Sequence, residues 1–161
     1  MDKNTVEYNG LKGGIIILIG LIAYFYFMSF LGLEHNLNLR ALNIIIMGLG
    51  VNWAIRSMKN ANDEFDYLKG IGTGLVAAAS SSILFAIFTF INLKFIDTAF
   101  LTEIVNREPF GLYLNPFKIA FIIVIEGFGS GFLLTFGLMQ WYKKRVSQKT
   151  VNKDLEKEKT R

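Results

Sequence analysis

One residue in this sequence joins an ionisable side chain to a position deep in an apolar stretch: Glu126, the single charge between Ile119 and Tyr142. An ionised carboxylate in hydrocarbon is costly, so such a group is protonated, paired or turned toward water. A carboxyl group there can hold and release a proton or receive a cation. By helical rise it lies roughly 10 Å below the nearer end of its stretch. The stripe running on from it, Ser130, Leu133, Gly137 and Gln140, is mildly polar and is expected to point into a helix bundle. Asn43, Ser82 and Thr89 lie at matching depth in other apolar stretches, as do Tyr24 or Tyr26. With Glu126 they form a candidate intramembrane proton or polar site. No Lys or Arg shares that depth, so a neutral Glu126 is expected to donate to Asn43 or Thr89.

Other chemistries lack their residues. The chain has no Cys, which excludes disulfides, thiolate zinc sites and a cysteine nucleophile. The lone His35, beside Glu34, has no ligand spacing around it. There is no Ser/His/Asp set, no H-E-x-x-H and no pair of carboxylates within an apolar stretch. Gly70, Gly72 and Gly74 do not match a phosphate-cradling loop, and no Lys-Ser/Thr follows them. The expectation is a non-enzymatic protein with no cofactor, no metal and no nucleic-acid partner.

The elements that must position Glu126 are apolar blocks. Of 161 residues, 52% are hydrophobic and 19% charged, and the apolar ones are gathered in four runs that a soluble domain of this length could not hide. Crossing the hydrocarbon core takes ~20 helical residues. Gly13–Leu33, Gly70–Leu93 and Ile119–Tyr142 meet that length outright. Ala41–Ile55 is short and must borrow residues on both sides, with Arg40 and Arg56 snorkelling outward; a re-entrant segment is the alternative. The first run is too long for a signal-peptide core and no A-x-A-like site follows it, so it is read as a retained helix.

The expected fold is an all-α integral membrane bundle of four transmembrane helices. Residues 1–142 form the domain, with spans at about 13–33, 38–57, 70–93 and 119–142, and a basic cytoplasmic tail follows at 143–161. Lys and Arg divide 13 against 4 between the two sides, which puts both termini in the cytoplasm. If the second run does not cross, a three-helix arrangement with the N-terminus outside still divides them 12 against 5. Trp53 and Trp141 precede the basic side, and Phe25, Tyr26, Phe27, Phe30, Phe110, Tyr113 and Phe117 gather toward the other, as interfacial belts do.

The connections are expected to be simple. Arg56–Lys69 reads as a solvated turn. Leu93–Val105 has helical spacing and is expected to bend into an interfacial segment ended by Pro109. The tail is expected to fray, with Lys143, Lys144 and Arg145 as candidate contacts to lipid headgroups. Small residues recur at every fourth position in the third run: Gly70, Gly74, Ala78, Ser82 and Ala86. Gly127 and Gly131 repeat the step in the fourth. Such stripes let backbones approach, so these helices are expected to pack on each other or on a second copy.

Tyr67-Leu68-Lys69-Gly70, Gly74, Ser80 to Ser82, and Phe90 through Lys94-Phe95-Ile96-Asp97 into Phe100-Leu101 resemble a family of small four-helix bacterial membrane proteins, domain of unknown function 4199. The likeness is strongest over Tyr67–Leu101 and looser over Trp141–Arg145; Thr98 stands where the family pattern suggests proline. The resemblance implies architecture and compartment, a bacterial inner membrane, and supplies no catalytic residues. The expected function is an accessory subunit or homo-oligomer that works by binding membrane partners. The alternative is a small proton-coupled transporter or ion-translocating unit built on Glu126.

Overall fold

The structure, a computed structural model, describes residues 5–32, 39, 41–61, 66–107 and 110–159, with backbone alone for Ala99, Arg107 and residues 143–159. Glu34, His35, Arg40, Asp63, Glu64 and Pro109 therefore lie outside the described residues. Helix α1 runs Val6–Phe30 and begins before the uncharged run because Thr5 caps it, its hydroxyl accepting from the Tyr8 N–H at 3.3 Å. It stops where Gly32 takes φ +66°, a left-handed conformation open to glycine. Helix α2 runs Leu42–Ala61, displaced toward the C-terminus from the expected 38–57. Arg56 to Ala61 contains no Gly or Pro, so the helix passes through its charged end without a break.

Helix α3, Tyr67–Ile91, passes directly into a π turn at Asn92–Ile96. Asp97 then leaves helical geometry, and its carboxylate caps helix α4, Thr98–Arg107, by accepting from the Phe100 N–H at 2.9 Å. The Phe100 ring meets Phe25 at 6.0 Å, which folds α4 back over the end of α1. A 3₁₀ turn at Gly111–Tyr113 leads to helix α5, Pro116–Lys159. Proline at its first position and Asn115, whose side chain accepts from the Lys118 N–H at 2.8 Å, start it.

At 44 residues α5 absorbs the tail that was expected to fray. Residues 143–159 hold no Gly or Pro, and nine of the seventeen are Lys, Arg or Glu, all good helix formers, so the last span continues as one helix.

Helix α3 is the hub, with α1, α2 and α5 all packed against it. The registers are regular. Along α1 and α2, Gly20 faces Ile46, Ile17 faces Gly50, and Gly13 faces Ala54, so the two are antiparallel over their shared length. Along α1 and α3, Val6 faces Gly72, Gly10 faces Val76, and Gly14 faces Ser80, so these two are parallel. Ile17, Val51, Ala54, Ile55, Ala77 and Met139 are buried at the centre.

Large apolar side chains also cover the exterior, where Ile19, Leu49, Ile87 and Leu133 are exposed. α1, α3 with its π turn (Tyr67–Ile96), and Pro116–Tyr142 of α5 are each long and apolar enough to cross a membrane. α2 is not among them, since Asn43, Asn52, Arg56 and Lys59 interrupt its apolar residues. At one end of the bundle Phe30, Phe110, Tyr113 and Phe117 are exposed. At the other, Lys12 stands over the Trp53 ring at 5.6 Å and Lys59 over Tyr142 at 5.3 Å.

Candidate functional site

The seam between α3 and α5 is built from small residues in antiparallel register. Ser82 lies against Gly127, Ala78 against Gly131, and Thr135 against Gly74, where a Cβ would come within 2.5 Å of the Thr135 methyl. Four-residue steps on one helix meet four-residue steps on the other, so two backbones approach along a straight line. The hydroxyls in this seam stay on their own helices: Ser82 donates to the Ala78 carbonyl at 2.7 Å and Thr135 to that of Gly131 at 2.7 Å. Gly70 continues the stripe and is buried.

That seam decides where Glu126 goes. With Gly127, Gly131, Thr135, Met139 and Tyr142 turned inward, the helical period sends the stripe of Glu126, Leu133, Gly137 and Gln140 to the other side. Glu126 is exposed, Leu133 is 72% exposed, and a Cβ added at Gly129 or Gly137 would meet nothing within 4 Å. The expectation that this stripe faces the bundle interior is therefore corrected. Close backbone approach through glycine overrides the tendency of polar groups to turn inward. Ser130, between the two faces, donates to the Glu126 carbonyl at 2.8 Å.

The residues nominated with Glu126 are not gathered around it. Thr89 is buried and donates to the Phe85 carbonyl at 2.9 Å. Ser82 reaches Gly127, on the inner side of α5. Asn43 keeps its side-chain oxygen buried and, among the described residues, without a hydrogen bond. Tyr24 donates to the Leu39 carbonyl at 2.9 Å, and Tyr26 is 50% exposed. The side chains of Lys143, Lys144 and Arg145 lie outside the described part of the chain.

Two polar clusters escaped the sequence reading. Asn9, buried on α1, donates to the Thr5 carbonyl at 3.0 Å and accepts from the Ser57 hydroxyl at 2.7 Å, bolting α1 to α2. Near the same end, Arg56 donates through Nε to the Tyr142 hydroxyl at 3.0 Å, and that hydroxyl donates to Asn52 Oδ1 at 2.7 Å. Asn52 and Arg56 are four apart, hence on one face of α2, a spacing visible in the sequence. Nothing in the sequence pointed that face at Tyr142.

An all-helical chain with three helices of membrane-crossing length and apolarity, and a lipid-like exterior, has the make-up of a membrane protein. A family model described as Protein of unknown function (DUF4199) matches residues 10–108, and the chain belongs to that family. The matched part takes in nearly all of α1 and the whole of α2 to α4, so the outer face of α5 lies beyond it. Searches of curated proteins and of solved structures find no match.

Proposed function

We propose that this chain is a multi-pass bacterial inner-membrane protein that acts by binding another membrane-spanning helix on the outer face of α5, without enzymatic chemistry of its own. The observation that carries the reading is the open side of α5 within its membrane-length segment, where Ile125, Phe132 and Leu133 are exposed and a Cβ added at Gly129 or Gly137 would meet nothing within 4 Å. Gly129 and Gly137 leave that face flat enough for a backbone to come close.

The antiparallel register of α1 and α2 supports a fourth crossing, since α2 follows α1 from Gly20 down to Asn9. Its Arg56 and Lys59 then sit at the interface and snorkel. The positive-inside rule puts both termini in the cytoplasm. Translocation around Glu126 needs the carboxylate turned to a wet cavity among the helices, and its outward position lends that no support.

A photo-crosslinking residue at Gly129, in native membranes, tests the reading. A stoichiometric protein adduct is expected there, either a second copy or another chain according to its mass. A probe at position 129 that captures only lipid would sink it. The same probe at Gly137 should report the same partner.

A further inference from the structure

The end of the bundle where α2 meets α5 holds a cleft of about 360 Å³ lined by Asn52, Arg56, Leu138, Trp141 and Tyr142. Its polar side is an ordered chain. Arg56 gives Nε–H to the Tyr142 hydroxyl, and the hydroxyl gives its own proton to Asn52 Oδ1. Among the described residues, the guanidinium's bond is to Tyr142 alone, which leaves both Nη nitrogens as donors. With its Oδ1 taken, Asn52 has its amide nitrogen left to donate.

The surroundings select for charge. Among the described residues no carboxylate lines the cleft, and the Lys59 ammonium lies 5.3 Å from the Tyr142 ring. A planar guanidinium held at one edge matches two oxygens of a phosphate, and basic pockets between spanning helices recognise anionic headgroups. Depth points the same way. Trp141 is 62% exposed at the end of the membrane-length segment, where indoles lie at headgroup level, and Leu138 is one turn further into the apolar part.

We propose that this cleft binds the phosphate of an anionic membrane lipid. Arg56 and Asn52 donate to the phosphate oxygens, Lys59 adds positive potential, and Trp141 with Leu138 covers the start of an acyl chain. The lipid then staples α2 to α5 from outside the core. This goes beyond partner binding by α5 and requires only that the chain reside in a membrane.

Thermal unfolding of the full chain in neutral detergent, titrated with phosphatidylglycerol, phosphatidylcholine or inorganic phosphate, tests it. Phosphatidylglycerol is expected to raise the midpoint in a saturable way, phosphatidylcholine and inorganic phosphate far less. R56Q should weaken the apparent affinity about tenfold, the scale of one charged hydrogen-bonding group, while Lys69→Gln, a charge removed elsewhere at the same end, leaves it unchanged. Should R56Q not fold, Arg56→Lys carries the test, with a several-fold loss expected because the ammonium lacks the planar fork. Equal protection by phosphatidylcholine, equal protection by inorganic phosphate, or wild-type affinity in the foldable Arg56 variant would each overturn the proposal.

Discussion

Gly131 of α5 rests against Ala78 of α3 so closely that a Cβ added at Gly131 would overlap the Ala78 methyl group. Two bare stretches of backbone meet there, and the contact sets how near the last span comes to the hub helix. Gly131→Leu should cost about 1–3 kcal/mol by wedging the seam open. Gly137→Leu, on the open side of the same helix, should leave the unfolding midpoint of the isolated chain unchanged. Equal losses for the two would contradict the assignment of inner and outer faces.

The bond between Ser57 and Asn9 joins buried or half-buried groups on α1 and α2. Asn9→Ala strands the Ser57 hydroxyl and the position it packed in, and is expected to destabilise by about 1–3 kcal/mol. Ser57→Ala should cost less, about 1 kcal/mol, because the Asn9 amide retains its bond to the Thr5 carbonyl. Unfolding in denaturant at matched detergent concentration checks the order of the two.

Asn43 and Asn92 each hold a buried side-chain oxygen that lacks a hydrogen bond. Such an atom costs stability that an apolar side chain of similar size does not. Asn43→Leu is therefore expected to raise stability, by about 1 kcal/mol. A lower midpoint for Asn43→Leu would mean that its oxygen has a partner in the membrane.

The chain contains no cysteine, so introduced ones are unique. Lys12→Cys and Lys69→Cys should react with an impermeant maleimide from the same side of the membrane, and Leu112→Cys from the other. Labelling of Lys12→Cys and Lys69→Cys from opposite sides would show that α2 does not cross.

The α3–α5 seam could be read from the sequence because its physics is local. Gly74, Ala78 and Ser82, like Gly127 and Gly131, are small residues recurring at four-residue steps, and small size at helical spacing is visible in a string of letters. The orientation of Glu126 was not legible. Glu126 and Gly127 are adjacent and so about 100° apart around the helix, and the sequence does not state which of them wins the inward direction. The structure resolves it in favour of the glycine, because each Cβ removed admits a neighbouring backbone along its whole length. The Arg56–Tyr142–Asn52 chain was hidden for another reason. Its members lie far apart in sequence, and only the register of α2 against α5 brings them together.

The unbroken length of α5 has a mechanical meaning. Beyond Tyr142 the helix extends for roughly 25 Å more at the usual rise, with no hinge residue between. The backbone hydrogen-bond ladder of the last span runs on without a break past Tyr142 to Lys159, so the direction of the span is carried out of the apolar bundle by the helix itself.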